Sequence, residues 1–277
     1  MKILVTGASG YVGASIFTNL NKHYEVVGTF HKNKLFKELL KLDITERKAV
    51  IQTLLTLRPE LIVHTAAMSS RRTCKVHPEN ALAVNFEGTK NIADAANIVN
   101  SKIIYISTLG VGEYPSTQYG KTKLMGEHYV RKVHKNCNIL RLSMTFGYSP
   151  NLNNDRPFNR ILKTLQTGHP SSYDNCWRFM PTYLKDVSET IMTLTENDIQ
   201  GRILTVAIPE LKSAFDVASD ILKPFGRKVI PKNNDKGKLE KISDQNKTHL
   251  PISSYHEMIS GIMAEIRQYH LDKLSVS

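Results

Sequence analysis

Lys2-Ile3-Leu4-Val5-Thr6-Gly7-Ala8-Ser9-Gly10-Tyr11-Val12-Gly13 decides how the rest of the chain is read. Residues 2–6 form a short apolar, β-branched strand, and Ala14 to Leu20 reads as a helix. A strand, a glycine turn and a helix in that order hold a dinucleotide. Gly7 permits the tight turn, Gly10 lets backbone approach a pyrophosphate, and Gly13 lets the helix pack on the sheet. The helix N-terminus then faces the phosphates with its positive end. A glycine triplet alone can be a plain loop, but directly after an apolar strand the cofactor reading leads. Candidate pyrophosphate contacts are therefore Gly7, Ser9, Gly10, Tyr11, Val12 and Gly13.

Working outward, the same rhythm repeats. Tyr24 to Phe30 makes a second strand, Leu39 to Thr45 carries a third, and Glu46 to Leu57 is a helix closed by Arg58-Pro59. Leu61 to Thr65 is a buried strand that runs into Ala66-Ala67-Met68, small residues that let backbone approach a ligand. Lys102 to Thr108 is a fifth strand, a helix runs from Tyr119 to about Lys135, and Asn138 to Ser143 is a sixth strand. Strands alternating with helices predict an α/β fold, a Rossmann-type doubly wound parallel sheet. Residues 1–147 form the dinucleotide-binding domain. Residues 148–277 are mainly a smaller C-terminal substrate-binding lobe, with roughly 176–210 returning to the sheet. Within that part, Pro157 to Thr167 is an amphipathic helix, a second helix ends at Leu194, Pro231 to His249 is a polar surface connection, and Ile252 to Tyr269 is a closing helix.

The second strand ends in Phe30-His31-Lys32-Asn33-Lys34, where a carboxylate would otherwise meet the ribose 2′-hydroxyl of NAD. No carboxylate stands there to repel a 2′-phosphate, which favours NADP(H) over NAD(H), with Lys32 and His31 as contacts; ordinary loop charges are the plainer reading. Asp43 or Thr45 can cap the next helix.

Composition narrows the function classes. A chain of 277 residues, 41% hydrophobic and 22% charged, is that of an ordinary globular protein. No apolar run approaches the roughly 20 residues that cross a bilayer, and no cleavable apolar leader precedes the glycines, so a cytoplasmic protein without membrane contact is expected. The net charge of +12 favours anionic partners such as phosphorylated cofactors. No basic run is interleaved with aromatics, which speaks against nucleic acid. Cys74, Cys137 and Cys176 show neither disulfide nor metal-ligand spacing, and no metal site is expected.

Tyr119-Gly-Lys-Thr-Lys123 carries the chemistry. A phenol and an ammonium four residues apart on a helix share one face. A nearby positive charge favours the phenolate, so Lys123 is expected to lower the proton affinity of Tyr119 and suit it to proton transfer. Tyr269 and Lys273 repeat the spacing by chance near the C-terminus, and Tyr114 has Gln118 four positions on. Of the two Tyr-x-x-x-Lys matches, Tyr119 is the one that opens the helix after the fifth strand.

The glycine spacing Gly-x-x-Gly-x-x-Gly resembles the short-chain dehydrogenase/reductase superfamily, and Pro78, Val84-Asn85 and Gly88-Thr89 with Asn91 resemble its extended branch. Leu42-Asp-Ile-Thr45, Ile106-Ser-Thr108, Tyr119 to Glu127 and Pro181-Thr-Tyr183 are similar to the dTDP-4-dehydrorhamnose reductase group of nucleotide-sugar reductases. The resemblance implies that Thr108, Tyr119 and Lys123 are the catalytic residues, with Tyr119 as proton donor to a keto group on a nucleotide sugar. It implies cofactor contacts at Asp43, Ile44, Ala66, Ala67, Met68 and Asn85, and again at Tyr119 and Lys123. Substrate contacts follow at Ser69, Thr108, Met144, Asn159 and Arg178. A small-molecule substrate is implied, and the resemblance leaves a homodimer open. Thr108 departs from the group by running into Leu109-Gly110-Val111-Gly112, the loop before Tyr119 is short, and Met144 replaces a tryptophan. Leu109-Gly110 lacks the acid pair that dehydration needs. A nucleotide-sugar epimerase remains an alternative, as does a non-catalytic NADP-binding regulatory subunit that resembles the methionine adenosyltransferase beta subunit.

Overall fold

The computed structural model describes residues 1–113, 117–233 and 250–274. Alternating strand residues send their side chains to opposite faces: Ile3 and Val5 enter one apolar cluster and Leu4 another. The first half of the chain builds β1 (Lys2–Thr6), α1 (Tyr11–Leu20), β2 (Glu25–Phe30), β3 (Leu40–Lys41), α2 (Arg47–Leu57) and β4 (Leu61–His64). Two short helices, α3 (Arg71–Val76) and α4 (Pro78–Leu82), lead into a π-helix at Ala83–Gly88 and then α5 (Thr89–Val99). Next come β5 (Lys102–Thr108), a one-turn α6 (Gly110–Glu113), α7 (Gln118–Val133) and β6 (Asn138–Leu142).

The central sheet has seven strands in the order β11-β6-β5-β4-β1-β2-β3, where β11 is Ile203–Val206. Every pair in it is parallel; Ile3, for instance, faces Val26 on one side and Leu61 on the other. The chain winds outward from β1 in one direction and from β4 in the other. That reversal opens a crevice at the carboxyl ends of β1 and β4, the place where such sheets take ligands. Helices α2, α5 and α7 cover one face, and α1 with α9 (Leu184–Glu196) covers the other. The sheet is thus of the doubly wound Rossmann type that the alternation predicts.

The remaining elements form a second apolar cluster around Phe146, Phe158, Phe179, Tyr183 and Met258. They are β7 (Thr145–Phe146), α8 (Pro157–Thr167), β8 (Ser171–Asp174), β9 (Arg178–Phe179), β10 (Thr182–Tyr183), β12 (Lys212–Ser213), α10 (Ala214–Leu222), β13 (Val229–Lys232) and α11 (Tyr255–Leu274). The short strands pair as β7 with β10, β9 with β12 and β8 with β13. Two-residue strands carry too little periodicity to be read from sequence.

Several boundaries move. Helix α1 starts at Tyr11 because Gly10 is its extended N-cap. The closing helix starts at Tyr255, not Ile252: Ser254 accepts from the Glu257 N–H at 3.2 Å while the Glu257 carboxylate accepts from the Ser254 N–H at 2.7 Å, a reciprocal cap. Pro231 and Lys232, expected in the polar connection, belong to β13. The rest of that connection from residue 234 to 249 lies outside the described residues, as does Tyr114. Among the described residues no helix is long and apolar enough to cross a membrane.

Thr182 joins the two parts. Its hydroxyl donates to the Val206 carbonyl at 2.5 Å and accepts from the Ser143 N–H at 2.9 Å, fully buried. Thr182→Val keeps the shape but leaves a buried donor and acceptor unpaired. The expected loss of stability is about 1–3 kcal/mol, read as a lower denaturant midpoint with unchanged slope.

Candidate active site

The glycine turn leaves no room for side chains. Gly7 has φ +69°, and a Cβ there would lie 2.8 Å from the Ala66 Cα; a Cβ on Gly13 would lie 2.3 Å from the Gly7 carbonyl and 2.5 Å from Thr65 Oγ1. The Gly10 N–H closes the turn on the Gly7 carbonyl at 2.8 Å. The first amides of α1, from Tyr11 to Gly13, therefore point out of the helix with no intrahelical acceptor. Ser9 Oγ is buried with no hydrogen-bond partner among the described residues. A cradle of backbone N–H groups with one orphaned hydroxyl suits a pyrophosphate. The Tyr11 side chain turns elsewhere: its hydroxyl donates to the Gly147 carbonyl at 2.6 Å. What Tyr11 offers the cradle is its amide.

Beyond the ends of β2 and β3, Asp43 accepts from the Thr45 N–H and hydroxyl at 2.9 and 2.7 Å and pairs with His31 Nε2 at 3.1 Å. Burial pushes its carboxyl up, but the Thr45 bonds and the charges of His31 and Lys32 outweigh it and hold it below the usual range. His31 is thus drawn onto Asp43, whereas Lys32 stays exposed beside it. The Ile44 side chain is in the core, and its carbonyl accepts from Asn91 Nδ2 at 3.0 Å.

After β4, half-buried Ala66, Ala67 and Met68 form the floor of the crevice. Asn85, fully buried in the π-helix, accepts from the Met68 N–H at 2.7 Å and donates to the Met68 carbonyl at 3.1 Å and to Thr122 Oγ1 at 3.1 Å. Its side chain is spent on holding Met68.

Helix α7 is capped by Thr117, whose hydroxyl accepts from the Gly120 N–H at 3.0 Å. The cap brings Tyr119, Lys123 and Glu127 onto one face against β5, where Thr108 ends the strand and accepts from the Gly110 N–H at 3.2 Å. Lys123 is 2% exposed. Its Nζ donates to the Ile106 carbonyl at 2.7 Å and lies 3.9 Å from the Tyr105 ring centroid. Burial pulls its pKa down to about 7, against the opposing charge of Glu127. Tyr119 departs from expectation. Burial pushes its phenol up to about 12, and the cations that pull it back are Arg156 and, more weakly, Arg71. Lys123 does not serve this purpose here because its ammonium is turned inward to Ile106.

Some site residues escape sequence reading. Glu127, 1% exposed, accepts from Ser107 Oγ at 2.5 Å and holds Arg141 through two bonds of 3.0 and 2.6 Å. Its signal was available as the next step of the Tyr119, Lys123 spacing and as a lone cation in the apolar strand 138–142. Arg156 comes from the far side of the crevice and donates to Ser69 Oγ at 2.5 Å; nothing local in sequence marks it.

The substrate candidates separate. Ser69 meets Arg156. Met144 packs against the second cluster, and its carbonyl accepts from the Thr182 N–H at 2.9 Å. Asn159 donates to the Asn151 carbonyl at 3.1 Å and to Asn154 Oδ1 at 2.9 Å, and Asn151 donates to the Ser9 carbonyl at 2.6 Å. Asn159 thus shapes the loop that clasps the glycine turn. Arg178 is committed to Asp216 at 2.5 Å.

Residues 1–252 match the model of the RmlD substrate binding domain. The chain belongs to that family. It is 28% identical over 214 residues to the methionine adenosyltransferase 2 subunit beta of Xenopus laevis, covering 72% of this chain and 63% of that protein. It therefore spans just under two thirds of that relative's length. It is also 28% identical over 230 residues to the dTDP-4-dehydrorhamnose reductase of Aggregatibacter actinomycetemcomitans, covering 75% of this chain and 71% of the relative. The dTDP-4-dehydrorhamnose reductase of Bacillus anthracis, solved in complex with NADP, superposes with a TM-score of 0.81 at 25% identity over 95% of this chain and 99% of that one.

The buried lysine gives a pH test. The folded chain holds Lys123 less protonated than the unfolded chain, whose lysine titrates near 10.5. The unfolded state then binds more protons between about pH 7 and pH 10, so this residue makes stability rise with pH through that window. Lys123→Met is expected to flatten the rise in urea unfolding measured from pH 7 to pH 10.

Proposed function

We propose that the chain is an NADP(H)-dependent reductase of a keto group on a nucleotide-activated sugar, with Tyr119 as proton donor. The observation that carries this reading is that Thr108, Tyr119 and Lys123 stand at the ligand end of the sheet, which also holds a glycine cradle with an orphaned Ser9 hydroxyl. A small anionic group fits that cradle, and the first amides of α1 with Ser9 would hold it. Lys32 would meet a 2′-phosphate, and Asp43 with the Ile44 backbone would meet the base.

When bound, the nicotinamide supplies a hydride. The Tyr119 hydroxyl gives its proton to the carbonyl oxygen as that oxygen gains charge, and Thr108 orients the same oxygen. Arg156 and Arg71 favour the phenolate left on Tyr119, because both pull its proton affinity down. Lys123 lies beneath the site, and its proton can leave near neutral pH. The part built from α8, α10 and α11 takes the sugar nucleotide. The similarity to reductases named for dTDP-4-dehydrorhamnose supports this substrate class.

Two observations favour a second reading, an NADP-binding subunit without turnover: Lys123 is hydrogen-bonded to Ile106, and the methionine adenosyltransferase subunit is as similar to this chain as the reductase is. A panel of 4-keto sugar nucleotides with NADPH separates the two. Turnover on at least one substrate is expected, and NADPH binding without turnover on any would favour the subunit. Tyr119→Phe is expected to lower kcat by at least 100-fold while the Kd for NADPH stays within about threefold; full activity in that variant removes the mechanism. Lys32→Ala is expected to weaken NADPH about tenfold, the loss of one exposed phosphate contact, and to leave NADH unchanged, as read by fluorescence titration with each cofactor.

A further inference from the structure

His64 ends β4, is 1% exposed, and has no part in the chemistry above. Its ring bridges two hydroxyls, with Nδ1 2.7 Å from Thr6 Oγ1 and Nε2 3.0 Å from Thr89 Oγ1. Counting hydrogens assigns the tautomer. Thr89 Oγ1 spends its one hydrogen on the Asn85 carbonyl at 2.8 Å, so toward the ring it accepts, and Nε2 carries the proton. Nδ1 is then bare and accepts from the Thr6 hydroxyl. That leaves the Thr6 oxygen free to accept from the Thr65 and Ala66 N–H groups at 3.2 and 3.3 Å.

The bonds form one directed chain. It runs from the backbone of Thr65 and Ala66 through Thr6, His64 and Thr89 to Asn85, and the Asn85 side chain returns to Met68. The crevice floor is therefore gripped at both ends by a single circuit, at the place where Ala66 lies against the Gly7 turn. A second proton on the ring would break the circuit, because Nδ1–H would face a hydroxyl hydrogen. It would also place two cations on one aromatic ring: His64 stacks on Tyr105 at 5.5 Å, and the Lys123 ammonium lies on the same residue. Burial first and Lys123 second draw the imidazole pKa down to about 3.

We propose that His64, neutral and protonated on Nε2, is a positioning residue of the dinucleotide site: it locks the Thr65 to Met68 backbone at the spacing from the glycine turn that a bound dinucleotide requires. This rests on reading the glycine turn as a dinucleotide site. Thr6 and Thr89 transmit its effect, and no contact of His64 with the ligand is implied.

The test uses the full chain. Nitrogen-15 NMR of the labelled protein is expected to show His64 as the neutral Nε2–H tautomer from pH 5 to pH 8. His64→Phe is expected to raise the Kd for NADPH by about tenfold or more, since two buried partners are lost. His64→Gln, which keeps reach toward Thr89, and His64→Asn, which keeps reach toward Thr6, are each expected to recover part of that loss. Thermal melts establish that each variant is folded; if His64→Phe does not fold, Thr6→Val cuts the same chain without changing volume and carries the same expectation. A folded variant of either kind with wild-type Kd, or a ring found charged or protonated on Nδ1 at neutral pH, overturns the proposal. A wild-type chain that binds NADPH but reduces no keto sugar removes the reductase reading alone, and the Kd comparison still decides this one. A wild-type chain that binds no dinucleotide removes both.

Discussion

Helix α1 can approach β1 only because residue 13 has no side chain, its missing Cβ lying 2.3 Å from the Gly7 carbonyl. That contact sets the angle at which the helix leaves the turn, and with it the direction of the unpaired amides. It also sets where Tyr11 points. The Tyr11 phenol reaches Gly147, and Ser149 Oγ donates to the Tyr11 carbonyl at 2.7 Å, so the placement of the second apolar cluster follows from the same turn. A steric limit at one glycine thus governs both walls of the crevice.

Beneath the crevice the protein keeps charge in its interior. Buried Glu127 holds a half-buried Arg141 through two bonds, and Lys123 beside it has no carboxylate within salt-bridge distance among the described residues. Such pairs contribute little net stability after desolvation, and an unpaired buried ammonium costs more than it returns. Their presence is understood through placement: Glu127 fixes Ser107, the neighbour of Thr108, and tempers the proton loss of Lys123.

The first six strands of the central sheet were legible because most of them are runs rich in apolar, β-branched residues that alternate with helical segments, a signal that needs no tertiary information. The glycine turn was legible for the same local reason. The tuning of Tyr119 was not. From the spacing alone Lys123 is the cation beside the phenol, but spacing places two residues on one face without saying where a long, flexible side chain ends, and the Lys123 ammonium ends on the carbonyl of Ile106. Arg156 reaches the site from 37 residues beyond Tyr119 and declares itself only when the second cluster folds back. The resemblance implies ligand contacts at Arg178 and Asn159 but not their partners within the chain: Arg178 meets Asp216 and Asn159 meets Asn151 and Asn154, which no local pattern announces.

Trp177 is the single tryptophan of the chain. It stands on the second cluster, 5.1 Å from the Phe179 ring, and the Arg71 guanidinium from the sheet side lies over it at 5.5 Å. The two walls of the crevice therefore meet at the one indole. Its emission is sensitive to a cation over the ring, which makes the unlabelled protein its own optical gauge of how far those walls stand apart.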